Sequence, residues 1–189
     1  METKLIAVIG VLIIVGAVLW TMGIYNGEVS RFQGVNAQWG NVETEYQKRF
    51  DLVPQLVNVV TGAASFEQET LTKLSALRTQ WQTQTSVSQR IETANEFETT
   101  LSKLLVVAEN YPTLQSNEQF NTLQIQLEGI ENRISVERKR YNDAVREYNT
   151  YIALFPNALL LGGKTPVDYF NAPDAASNAP DVPNDFTNP

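Results

Sequence analysis

Residues 120–155 read FNTLQIQLEGIENRISVERKRYNDAVREYNTYIALF. Within this stretch Phe120, Leu127, Ile134, Tyr141, Tyr148 and Phe155 recur every seventh position, and Leu123, Ile130 and Ala144 run beside them. Two apolar rows at this spacing form the seam of a long amphipathic helix packed lengthwise on another helix. Ser116-Asn117-Glu118-Gln119 marks its start, with the serine as cap and Gln119 reaching back as in a capping box. Pro156 marks its end by biasing Phe155 away from helical geometry.

The same period appears nearer the N-terminus in Phe32, Trp39, Tyr46, Val53 and Val60, flanked by Tyr25, Val29, Val42, Phe50 and Leu56. Gly27, Gly34 and Gly40 weaken this helix, each by about 1 kcal/mol relative to alanine, and make a break after Ile24 plausible. Pro54 is expected to interrupt it near Val53, with Asp51 available as a local cap. Phe66, Leu74, Leu77 and Trp81 extend the pattern, Thr83 to Gln89 turns polar, and Ile91, Ala94, Phe97, Leu101, Leu104 and Ala108 resume it before Tyr111-Pro112. The polar stretch therefore predicts a turn between helices.

Leu5 to Ile24, LIAVIGVLIIVGAVLWTMGI, carries no charge. Roughly 20 such residues at 1.5 Å each match the ~30 Å hydrocarbon core of a bilayer. Lipid leaves a helix as the only way to satisfy this backbone, and Trp20 suits the interfacial belt. The apolar run exceeds the ~7–15 residues of a secretory h-region and no A-x-A site follows it, so the segment reads as an uncleaved anchor. Gly10 and Gly16 do not make the G-x-x-x-G dimerisation motif. Lys4 and the α-amino group on one flank nearly balance Arg31 on the other, and the small difference favours a bundle outside the cytoplasm, anchored in the cell membrane.

The expected fold is all-α: a transmembrane anchor over residues 1–24, an elongated antiparallel bundle of about four helices over 25–156, and an irregular tail over 157–189. Pro166, Pro173, Pro180, Pro183 and Pro189 lie in that tail among Ala, Asn and Asp. Tyr169-Phe170 and Phe186 are expected to dock back on the helices.

Composition narrows function. The 189 residues contain no histidine and no cysteine, which removes the commonest general base, the usual zinc and haem ligands, thiol nucleophiles and disulfides. The net charge of −7 lies wholly after the apolar segment, because Glu2 and Lys4 cancel, and it argues against nucleic acid as a partner. Arg138, Lys139 and Arg140 read as a solvated face, with Asp143 at helix pairing distance. Di-iron bundles need Glu-x-x-His pairs, which this chain lacks. Glu43 with Glu45, Glu67 with Glu69 and Glu96 with Glu98 are two apart, on different helix faces. Gly162-Gly163-Lys164-Thr165 resembles only the end of a phosphate-binding loop, without the earlier glycine or a preceding strand, and reads as an ordinary loop. No catalytic residue, metal or cofactor is expected.

Four segments carry a family resemblance: RFDLVPQLV from Arg49, AENYP from Ala108, EGIENRI from Glu128 and YNDAVREYN from Tyr141. Together with Phe155-Pro156 and the anchor they resemble the LemA family of membrane-anchored helical proteins over roughly residues 5 to 170. Lys48 and Gln55 depart mildly from the family pattern, which often has arginine and asparagine there. The resemblance implies an antiparallel helical bundle with an N-terminal span, and implies no catalytic activity.

The polar residues of these segments, Arg49, Asp51, Glu109, Asn110, Asn132, Arg133, Asn142, Arg146 and Asn149, sit beside apolar rows. They are expected to form a structural polar network, or a partner site if they converge. Two functions remain open. One is an interaction or scaffolding module held at the membrane bilayer, self-associating or binding another envelope protein, with surplus aromatic side chains among Trp39, Tyr46, Phe50, Trp81 and Phe97 exposed. The other is a ligand-sensing bundle signalling to a membrane partner, which requires a ligand that distinguishes two packings.

Overall fold

A computed structural model describes residues 1–63 and 68–171. Among these the chain is helical and contains no strand: α1 Glu2–Asp51, α2 Val53–Ala63, α3 Gln68–Thr83, α4 Val87–Ala108, α5 Pro112–Gln115, α6 Glu118–Ala153 and α7 Asn157–Leu160. The described residues divide into two compact units, one of residues 1–45 with 131–169, the other of residues 46–63 and 68–130 with Phe170 and Asn171.

In the first unit the two long helices run antiparallel. Phe32 meets Tyr148 at 5.5 Å between ring centroids, Trp39 meets Tyr141 edge-on at 5.5 Å, and Glu45 meets Arg133 at 3.2 Å, so rising numbers on α1 face falling numbers on α6. The buried row on α1 is Ile24, Glu28, Val35, Trp39 and Val42, and Tyr25, Val29 and Phe32 are exposed. The expected stripe is thus displaced in its first turns, and a carboxylate takes a core position because a lysine far away in sequence reaches it, as described below. Ile134, Tyr141, Val145, Tyr148 and Ile152 are the buried face of α6, whereas Phe155, which ends the heptad row in sequence, lies beyond the helix and is 86% exposed.

No break follows the anchor: α1 passes through Gly27, Gly34 and Gly40 without interruption. Gly27 has a packing reason. A Cβ there would lie 2.4 Å from the Tyr151 hydroxyl, so only glycine admits that ring against the helix. The contact offsets the conformational cost on which the expected break rested.

In the second unit α1 ends at Asp51, Leu52 forms a one-residue turn, and α2 starts with Pro54 in its first turn, where a missing N–H costs no helical bond. Asp51 does not cap locally; its carboxylate accepts from Gln47 Nε2 at 2.8 Å. α3 and α4 form an antiparallel hairpin around residues 84–86, within the polar stretch. Arg90 Nε donates to the Gln84 carbonyl at 2.9 Å, and the Thr93 hydroxyl donates to Gln84 Oε1 at 2.9 Å, which ties the turn to α4. At the start of α6 the cap is Asn117, not Ser116. Its Oδ1 accepts from the N–H groups of Gln119 and Phe120 at 2.9 and 3.1 Å, while Ser116 Oγ turns back to the Thr113 carbonyl.

The aromatic surplus is not on the surface. Trp39, Tyr46, Phe50, Trp81 and Phe97 are all buried, so they cannot form the exposed adhesive face expected of them. Phe50 lies 5.1 Å from the Trp81 ring and 4.3 Å from the Phe97 ring, and Tyr46 lies 5.2 Å from Trp81. Phe170 docks as expected, stacked on Tyr46 at 5.7 Å with the rings 5° from parallel, while Tyr169 is exposed. Phe66 and Phe186 lie outside the described residues.

Candidate functional site

Among the described residues each unit buries a charged cluster, built from residues in the family-like segments and from partners that those segments do not contain. In the second unit the last turn of α1 carries Tyr46 and Arg49 to the same side as Phe50, because they are three and four residues apart. Arg49 is 6% exposed. Its Nη1 lies 3.8 Å from Glu98 Oε1 on α4, and its guanidinium sits 5.7 Å from the Phe97 ring centroid. The Tyr46 hydroxyl donates to the same Glu98 oxygen. Glu96, two positions away, faces outward and pairs with Lys73 at 2.7 Å. The two carboxylates therefore do point apart, and only Glu98 enters the core.

In the first unit Glu28 is 2% exposed and meets Lys164 Nζ at 3.1 Å. The Tyr148 hydroxyl donates to Glu28 Oε1 at 3.5 Å, and Glu28 Oε2 is buried without a hydrogen-bond partner. Burial, and then the Glu28 charge, push the Tyr148 hydroxyl above its ordinary range. Lys164 belongs to the loop after α7, whose resemblance to a phosphate-binding motif concealed its role as counter-ion.

Further along the same segment, Asn149 clamps the backbone of Val167 with two hydrogen bonds, Nδ2 to the carbonyl and Oδ1 from the N–H, both 2.9 Å. The Tyr141 hydroxyl donates to the Asp168 carbonyl at 2.9 Å, and burial followed by the Asp168 charge pushes it up to about 12. Asn149 and Tyr141, eight residues apart on α6, thus anchor the backbone of Val167 and Asp168 along that helix. This role left no sequence signal, because a side-chain clamp on a backbone demands nothing of the residue it holds.

The remaining members of the expected polar set disperse. Asp51, Glu109, Asn110, Asn132, Arg133 and Arg146 are exposed, and Asn142 and Asn149 are half-buried. Arg133 pairs with Glu45 at 3.2 Å, Arg146 with Asp143 at 2.7 Å, and the Glu109 carbonyl accepts from Gln115 Nε2. Lys139 and Arg146 hold the Asp143 carboxyl below its ordinary range, the Lys139 hydrogen bond contributing most. Arg49, Arg133, Arg146 and Asn149 each find these partners outside the set. They belong to two units, Arg49, Asp51, Glu109 and Asn110 to the second and the others to the first.

An all-helical chain with a long apolar N-terminal helix and buried polar clamps defines a membrane-anchored helical protein. The LemA family model matches residues 38–184, and the chain belongs to this family. It is similar to the magnetosome protein MamQ of Magnetospirillum gryphiswaldense, at 24% identity over 89% of this chain and 72% of that protein. It is also similar to the magnetosome proteins MamQ 1 and MamQ 2 of Paramagnetospirillum magneticum, at 26% identity over 79% of this chain and 64% of each of theirs.

Proposed function

We propose that this chain is a non-catalytic interaction module that a single helix holds at the cell membrane, with its helical body on the extracytoplasmic side. The reading includes the antiparallel bundle of about four helices expected from the sequence. Its partners are a second copy or another envelope protein; nucleic acid and cofactors have no part in it. The observation that supports it is the use made of the family-like polar residues. Arg49, Arg133 and Asn149 hold neighbouring helices or backbone in place, which is work for a scaffold rather than for a reaction.

Gentle detergent extraction followed by mass measurement in the micelle, together with crosslinking in cells, tests this. The module is expected as an oligomer or a defined complex. A lone monomer, with no crosslinked partner in cells, would sink the reading.

A further inference from the structure

The first unit loses its charge at one end on both of its chain segments. On α1 no Asp, Glu, Lys or Arg occurs between Lys4 and Glu28, and on the other side none occurs between Glu147 and Lys164. The two gaps are aligned by contacts. Glu28 pairs with Lys164, and Arg31 pairs with Glu147 at 3.3 Å, so the charged borders of both segments coincide. Beyond that border the Tyr151 hydroxyl donates to the Ile24 carbonyl at 3.0 Å, and the Tyr25 hydroxyl donates to the Leu160 carbonyl at 3.2 Å. Ile24 is the last residue of the apolar span. Because α6 runs antiparallel to α1, the chain past Tyr151 heads towards the level at which α1 enters its apolar layer.

There the surface changes character. Leu154 is 56% exposed, Phe155 86% and Leu159 79%, with Pro156 between them and Asn157 turned inward, its Nδ2 bonded to the Tyr151 carbonyl. Single exposed apolar side chains are common on any protein. Three within six residues, in a charge-free segment bonded to the end of a span, are not scattered. Such a loop matches the interfacial layer, where apolar side chains enter the acyl boundary and backbone polar groups remain among headgroups.

We propose that Leu154, Phe155 and Leu159 form a second membrane contact, dipping into the leaflet from which α1 emerges. The proposal rests on the reading of residues 5–24 as a membrane anchor. With two contacts at one end, the first unit is held against the bilayer surface rather than swinging from a single helix, and the buried Glu28 and Lys164 pair sits just outside the apolar boundary.

The chain lacks cysteine, so single-cysteine variants take one spin label each without further mutation. Phe155→Cys and Leu159→Cys are labelled in the full chain in phospholipid nanodiscs, and collisions with oxygen and with a neutral nickel chelate are compared. Leu12→Cys serves as the lipid reference and Val136→Cys, exposed in the same unit, as the water reference. The expected result is an oxygen-to-nickel collision ratio at 155 and 159 several-fold above that at 136. A nickel response equal to that at 136 places the loop in water and overturns the proposal. Low collision with both reagents shows a protein cover, such as a second copy, and overturns it equally. If the label at 12 itself meets nickel freely, the anchor reading falls and the proposal with it; if only 155 and 159 do, the anchor stands and the second contact alone fails.

Discussion

Glu98 receives the Tyr46 hydroxyl and faces Arg49 across 3.8 Å, in surroundings of Phe97, Phe50 and Trp81. An Arg–carboxylate pair in such a place adds little net stability, but breaking it strands a buried charge, which costs about 3–5 kcal/mol. Glu98→Ala is therefore expected to lower stability by that order in thermal unfolding of the detergent-solubilised chain, while Glu96→Ala, whose partner is exposed, changes it by less than about 1 kcal/mol. Equal effects would show that Glu98 is not the buried partner. Tyr141 offers a titration instead. Its hydroxyl ionises near 10 when unfolded and at about 12 in the fold, so the folded form keeps its proton longer. The associated stability is complete below pH 10 and is lost as pH rises from about 10 through about 12. Tyr141→Phe should cost about 1 kcal/mol at neutral pH through the lost bond to the Asp168 carbonyl, and should flatten the alkaline fall measured by unfolding across that window. An unchanged alkaline slope would assign the fall to other groups, of which Tyr148 is one, its hydroxyl also being raised.

Helix α1 carries its glycines unequally. At Gly34 and Gly40 an added Cβ meets nothing within 4 Å, so Gly34→Ala is expected to stabilise the helix by about 0.5–1 kcal/mol. At Gly27 the same change drives a methyl into the Tyr151 hydroxyl and disturbs its bond to Ile24 and the Arg31 guanidinium stacked 4.1 Å over its ring. Gly27→Ala should therefore lower the melting temperature where Gly34→Ala raises it, and a rise in both would mean that Tyr151 does not pack there. The contrast shows what could be read at this scale from sequence. The helices α1, α4 and α6, the turn at residues 84–86 and the stop near Pro54 were legible, because apolar period and proline act locally. The register at Glu28 was not, since it depends on Lys164, far away in sequence. The cap shifted from Ser116 to Asn117 because both residues suit the role and only the backbone geometry chooses. For the polar set, the residue types announced that side chains would be paired, but Glu98, Val167 and Glu45 could be found only in three dimensions.

At the scale of the whole chain, the N-terminal segment differs from every other helix in what its side chains meet. Leu5, Ile6, Leu12, Ile13, Ile14 and Leu19 are all more than 60% exposed, and no part of the most apolar window is buried. A core helix would hide these side chains, so the segment needs an apolar medium that the protein itself does not supply. Its Leu, Ile and Val residues favour insertion by about 4–7 kcal/mol together, at about 0.3–0.6 each, whereas two arginines at the centre oppose it by about 5–7 kcal/mol. The net charge of −7 offers no compensating attraction to anionic lipid. Wild-type chain is therefore expected to remain in the membrane pellet after an alkaline carbonate wash. Paired substitution of Ile13→Arg and Ile14→Arg should bring the insertion balance near zero and release a large fraction to the supernatant. The released protein should keep a helical circular dichroism spectrum, because neither residue packs on the helices that follow. A double variant that stays wholly in the pellet without aggregating would mean that something other than residues 5–24 holds the chain at the membrane, and would move the search for the anchor to the rest of the molecule.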